Sequence, residues 1–243
     1  MEYSRGMKNR ILVFGAHPDD AEIGMGGSIK RLADDGNEVY LCIASIPDHY
    51  EERWKESRKA ATLLGIKEIF LLPLNLKELG YNRKTIGLVD EIIERIKPDA
   101  IFTHWIEDSH QDHVNFSKCI IAATRKNHFH VLMYENTIPG GITTGAFRAQ
   151  YLIDISSTID DKLKSIKIHA TQIRRNGDWW VNGIKGRAMY RGYQIRTNYA
   201  EAFEVVKIRN DLKFFNTPKK ETLTEKLHAE KTFLHEKAFH KKQ

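Results

Sequence analysis

Residues 11–27, Ile-Leu-Val-Phe-Gly-Ala-His-Pro-Asp-Asp-Ala-Glu-Ile-Gly-Met-Gly-Gly, constrain this chain more than any other stretch. Four apolar residues, Ile11 to Phe14, are too few for a helix and read as a buried parallel strand. Gly15 ends the run, and Pro18 forces His17 into an extended or turn conformation. His17, Asp19 and Asp20 follow at once. In an open α/β sheet, ligands bind just beyond the carboxyl ends of strands, so three side chains able to bind metal or move protons stand where such a fold does its chemistry. An aspartate that merely caps the next helix would explain one of the two carboxylates and not the histidine.

The remaining chain continues the same rhythm. A helix is expected from Ile23 to Asp35, with Gly24, Gly26 and Gly27 in its first turn allowing close backbone approach to a ligand or a neighbouring strand. Their spacing is not that of a dinucleotide fingerprint. Glu38–Ser45 reads as a second strand, Glu51–Leu64 as a helix closed by Gly65, and Ile69–Leu72 as a third strand. Thr85–Lys97 carries Ile86, Val89, Ile92, Ile93 and Ile96 on one helical stripe, and Ala100–Thr103 is a fourth strand. Beyond it lies a second polar cluster, His104-Trp105-Ile106-Glu107-Asp108-Ser109-His110-Gln111-Asp112-His113, from which a helix, Val114–Arg125, departs. Strands at Val131–Tyr134, Tyr151–Ile155 and Ala202–Ile208 complete the set. Between the last two, a helix is expected from Ser156–Thr158 towards Gln172, then a loop over Arg174–Gly183 with Trp179 and Trp180, then a helix over Ile184–Tyr193. Alternating strand and helix imply a Rossmann-like α/β fold of three layers with a mostly parallel sheet.

Composition narrows the class. At 243 residues, 41% hydrophobic and 29% charged, the chain can bury one substantial core. It shows no apolar run of membrane-spanning length and no apolar signal core in its first ten residues, so a cytoplasmic location is expected. Cys42 and Cys119 lie apart in core-like segments, which excludes a thiolate metal site or a disulfide framework. The formal net charge is +6, and residues 211–243 carry eight Lys against five acidic residues, half of that total. The mildly basic remainder suits an anionic small molecule and does not call for nucleic acid. With no domain boundary before about Arg209, residues 1–209 read as one domain and 210–243 as a charged, helical tail. Leu223, Leu227, Leu234 and Ala238 in that tail form an apolar stripe that fits the body or a second subunit, which makes a homo-oligomer one of its uses.

Two clusters from different strand ends can converge at one edge of a parallel sheet. Together they offer His17, Asp19, Asp20, His110, Asp112 and His113. Imidazole and carboxylate suit Zn²⁺, and a catalytic zinc keeps three protein ligands and an open position. Two His and one carboxylate meet that count and leave two carboxylates and an imidazole for acid–base work.

His17-Pro18-Asp19-Asp20 with Glu22 and Gly26-Gly27, followed after the fourth strand by His110-Gln111-Asp112-His113, resembles the LmbE-like, or PIG-L, de-N-acetylases. The resemblance runs from Arg10 to about Ile208. It takes in Arg53 and Glu56, His169-Ala170-Thr171-Gln172 and Ala200-Glu201-Ala202-Phe203. It implies a Rossmann-like hydrolase that removes acetyl from N-acetylglucosamine-type sugars with a divalent metal, usually zinc, with Fe²⁺ or Co²⁺ as other candidates. It further implies His17, Asp20 and His113 as metal ligands, Asp19 as general base, His110 as the polarising group with Asp112 orienting it, and Arg53 facing the substrate. His49, His104, His128, His130 and His169 read as structural or surface residues, and Trp105, Trp179 and Trp180 as packing residues or sugar platforms.

Two other readings start from the same residues. Two His and one carboxylate with open positions are also the ligand set of non-haem iron oxygenases, and a binder of sugar or nucleotide could retain the fold without catalysis.

Overall fold

In the computed structural model, residues 8–209 are described, apart from 127, 137, 138 and 144. The expected tail at 210–243 lies outside the described residues. Strand β1 (Arg10–Gly15) leads through helix α1 (Asp20–Asp34) to β2 (Glu38–Ile43), then through α2 (Tyr50–Leu64) to β3 (Glu68–Leu71). Helix α3 (Arg83–Ile96) returns the chain to β4 (Ala100–His104), and α4 (Gln111–Ala123) to β5 (His130–Tyr134). Strand β6 (Tyr151–Asp154), helices α5 (Ile159–Ile168), α6 (Ala170–Asn176) and α7 (Asp178–Gln194), and strand β7 (Ala200–Lys207) follow.

The seven strands lie in the order β3-β2-β1-β4-β5-β7-β6. The first five are parallel, and β7 runs antiparallel between β5 and β6. Residue alternation along each strand sorts the core into two layers. Ile11 and Val13 of β1 face one side with Leu41 and Phe102, against Met25, Ile29 and Leu32 of α1. Leu12 and Phe14 face the other with Cys42 and Ile101, against Val89 and Ile93 of α3 and Phe116 and Ile120 of α4. Burial on both faces explains why β1 reads as a continuous apolar run. From β1 the chain builds outward to β2 and β3, and only then crosses to β4 on the other side of β1. Connections leaving β1 and β4 therefore diverge, which opens a crevice at their carboxyl ends.

Several boundaries depart from the sequence expectation. Helix α3 begins at Arg83 because Asn82 caps it, its side chain accepting from Thr85 N–H at 3.0 Å. Helix α4 begins at Gln111, three residues before Val114, because His110 caps it. Asp112 and His113 thus sit on a helical first turn. The helix expected to reach Gln172 breaks at His169, and the loop expected over Arg174–Gly183 is helical on both sides of Gly177. Gly177 has φ 75° and separates α6 from α7. Trp180, Val181 and Ile184 pack there on Ile23 and Ile166, so tertiary burial sets this segment.

Gly24 is required by a close approach. A Cβ at this position would stand 2.2 Å from the Tyr134 ring, which is fully buried and anchored by its hydroxyl donating to Phe14 O at 2.7 Å. Gly24→Ala should therefore destabilise the chain by about 1–3 kcal/mol or more. Gly87→Ala in α3, where an added Cβ meets nothing within 4 Å, should instead stabilise it by about 0.5–1 kcal/mol. Denaturant melts of the two variants check this; equal effects would show that the Tyr134 contact does not govern Gly24.

Candidate active site

The turn after β1 carries most of the site. Asp19 occupies the N-cap position of α1 with φ 93°, a left-handed conformation unusual for a residue with a Cβ. Its side chain makes no capping bond, so capping does not account for it. Asp20 Oδ2 accepts from His17 N–H at 2.7 Å, closing the turn, and its charge lies at the favourable N-terminal end of α1. Arg53 of α2 braces the same turn from outside. Its Nη2 donates to Pro18 O at 3.0 Å and stands 3.8 Å from Asp19 Oδ1, while Nη1 pairs with Asp48 at 2.9 Å.

The end of β4 and the first turn of α4 supply the opposing wall. His113 Nε2 is 3.2 Å from Asp20 Oδ1, and its Nδ1 is 2.9 Å from Asp108 Oδ2. Donation from Nδ1 to Asp108 directs Nε2 at the site, the arrangement that fixes a metal-ligating imidazole. Asp108 Oδ1 also accepts from His110 N–H at 3.0 Å. Burial alone would lower the His113 pKa, but the Asp20 and Asp108 carboxylates raise it to about 10. His104 stacks on His113 with ring centroids 3.9 Å apart. Burial, then the His113 charge, push its pKa down to about 4, and its Nε2 accepts from Ala16 N–H at 2.9 Å. His104, read from the sequence as a structural or surface residue, is fully buried against the site, and Asp108 is a residue that the sequence reading leaves without a role. A carboxylate five residues ahead of a ligand-type histidine was the available signal for Asp108.

His110 and Asp112 meet differently from the arrangement the resemblance implies. His110 Nδ1 accepts from the backbone N–H of Asp112 at 3.1 Å, whereas the Asp112 carboxylate is 3.9 Å away. That carboxylate lies instead 3.1 Å from His17 Nε2. The cause is the helix start: a capping residue uses its side-chain acceptor on the first turn. With Nδ1 so engaged, Nε2 carries the proton and is the donor. Burial, then the His113 and His17 charges, hold the His110 pKa below its usual value, so the ring is a neutral donor.

His17, Asp20 and His113 each offer one ligand atom, all within 4.8 Å of one another. This nitrogen and oxygen set suits a borderline divalent cation. Asp19, Asp20, Glu22, Asp108 and Asp112 are all buried within this small region, a concentration of negative charge that a cation offsets. Burial, then the Asp20 charge, push the Asp19 pKa up to about 7. Burial would raise Asp20 as well, but His113 and His104 hold it well below the usual range. Behind the turn, His169 Nε2 is 3.1 Å from Glu22 Oε1, with both side chains at most 1% exposed. Glu56 accepts from both the N–H and the hydroxyl of Thr171, tying α2 to α6.

His17, Asp19, Asp20, His110, Asp112 and His113 floor a cavity of about 490 Å³ lined also by Asp48, Gln172, Arg175 and Trp180. Trp179 is largely exposed, and Trp105 is buried away from the cavity, donating to Glu204 at 3.1 Å. Among the described residues, no helix is long and apolar enough to cross a membrane.

Residues 12–124 match the PIG-L family, described as GlcNAc-PI de-N-acetylase. The chain is 26% identical over 221 residues to the diacetylchitobiose deacetylase of Thermococcus kodakarensis, covering 81% of this chain and 83% of that one. It is 31% identical over 134 residues to the uncharacterized deacetylase YaiS of Escherichia coli, covering 50% of this chain and 71% of that one. Among solved structures, the N,N'-diacetylchitobiose deacetylase of Pyrococcus horikoshii superposes with a TM-score of 0.66 at 26% identity, covering 88% of this chain and 89% of that one. With the fold, the two strand-end clusters and these relatives in agreement, the chain belongs to the PIG-L, or LmbE-like, family.

Proposed function

We propose that this chain is a metal-dependent N-deacetylase that removes the acetyl group from an N-acetylated amino sugar, free or carried on a small conjugate. The observation that carries the reading is the meeting of His17, Asp20 and His113 at the cavity floor with Asp19 beside them. Zinc is the metal the donor set favours, held by those three residues. A divalent metal there would polarise the acetamide carbonyl and lower the pKa of bound water towards neutrality.

The chain's own residues account for the proton movements. Asp19 takes the proton of the attacking water and passes it to the departing amine nitrogen. His110, presenting Nε2–H, donates to the acetamide oxygen as negative charge builds there, usually the largest catalytic contribution. Asp112 holds His110 through its backbone N–H. Arg53 lines the cavity next to Asp19, where it can bind substrate while fixing the turn through Pro18 O. Gln172 and the buried edge of Trp180 supply one hydrogen-bonding and one apolar wall, the mixture typical of a small-molecule site.

Three outcomes test this. Acetate should be released from at least one member of a panel of N-acetylhexosamine conjugates, and chelation should abolish release until zinc is restored. Failure across the panel by metal-loaded protein would sink the reading. His113→Ala should strip the metal from a folded chain; unchanged metal content would show the ligand assignment to be wrong. Asp19→Asn should keep the metal but lose about a hundred- to ten-thousand-fold in turnover. Asp20→Asn should instead weaken metal affinity, because a neutral oxygen replaces an anionic one. Metal content and acetate release of both variants separate these roles, and the reverse pattern would reassign them.

A further inference from the structure

Helix α1 is not continuous. Met25 has φ −149° and ψ 26°, outside the helical region, so a first turn from Asp20 is set off from the helix proper. A break of this kind exposes carbonyls on one side and N–H groups on the other, and buried backbone groups need partners. In α1 they find them in one ion pair. Lys162 of α5, 1% exposed, donates from Nζ to Glu22 O at 3.1 Å and Ile23 O at 2.8 Å. Glu201 of β7, 4% exposed, accepts from Gly27 N–H at 3.1 Å and Ser28 N–H at 2.7 Å. Lys162 and Glu201 also bond directly to each other.

The pair thus grips both sides of the break. Ile23 O and Gly27 N–H, which a continuous helix would join as an i to i+4 pair, are turned to Lys162 and Glu201. Arg187 of α7 adds a second donor to Ile23 O at 3.0 Å, and Thr158 donates to Gly27 O at 2.9 Å. Gly26 leaves room for the lysine stem: a Cβ there would stand 3.3 Å from Lys162 Cγ. The released turn carries Asp20, whose two oxygens face His113 Nε2 and the His17 amide. Its direction relative to β4 depends on where the break is held.

From this geometry we infer that Lys162 and Glu201 are positioning residues that hold the broken first turn of α1 so that Asp20 and His17 meet His113 at metal-binding distance. The inference rests on the metal site proposed above. Neither residue lines the cavity floored by the metal-binding cluster, so neither touches substrate. Their contribution is to the aim of the ligands.

The test is zinc affinity by chelator competition on the full chain, a readout independent of acetate release. Lys162→Met/Glu201→Gln, which removes both charges and leaves neither buried alone, should bind zinc about ten- to a hundred-fold more weakly, the usual effect of losing a group that orients a metal ligand. Ile93→Ala, a core truncation on the opposite face of the sheet, should lower the melting temperature and leave zinc affinity unchanged. Lys162→Leu/Glu201→Gln, which likewise removes both charges, carries the same expectation if the first double variant does not fold. Wild-type affinity in a folded variant, or an equal loss in Ile93→Ala, would overturn the inference while leaving the proposed metal site intact. A wild-type chain that binds no zinc would overturn both.

Discussion

One buried carboxylate, Asp20, is the point where the two halves of the sheet edge are joined. Its Oδ2 closes the turn after β1 on the His17 amide, and its Oδ1 faces His113 from the turn after β4. A charge at 4% exposure is tolerable only where hydrogen bonds and opposite charge replace water. The His113 imidazole, one backbone amide and the end of α1 provide that replacement. Because those partners come from opposite sides of the point where strand order reverses, satisfying Asp20 brings both clusters together.

The surroundings extend the same logic outward. His113 is fixed by Asp108, His110 by the backbone of Asp112, and the turn itself by Arg53 on one side and the Glu22–His169 pair on the other. Asp108, Glu22 and His169 thus back the side chains that line the cavity without lining it themselves. Such support confers preorganisation, since donors already in place need not reorganise as charge develops. The left-handed conformation of Asp19, unaided by any capping bond, is a local strain of the kind that surrounding structure must overdetermine.

The glycines of α1 serve this support. Gly24 admits the Tyr134 ring, Gly26 the stem of Lys162, and Gly27 the Ile155 side chain. The close approach anticipated for them is to protein, and it allows α1 to lie tight against β5, the Ile155 that follows β6, and α5. A broken helix at the proposed metal site thus has a packing cause, smallness on one face, and an electrostatic remedy, the Lys162–Glu201 pair.

The fold was legible because its signals are local. A strand buried on both faces is apolar throughout, a crossover helix has a single stripe, and glycine or proline marks most ends. His17, Asp19 and Asp20 stood out for the same reason, as polar side chains placed directly after such a strand, and His113 as part of the polar cluster that follows β4. What only the tertiary structure decided involves partners far apart in the chain. Asp112 turns its carboxylate to His17, 95 residues away, and Lys162 and Glu201 meet at the break in α1 across 140 and 174 residues. Helix α7 forms where Trp180 finds Ile23 and Ile166 to bury against, and β7 inserts antiparallel between β5 and β6. Short-range patterning records which face of an element must be buried. Which buried charge finds which partner depends on how the elements stack, and only the assembled sheet and its helices determine that.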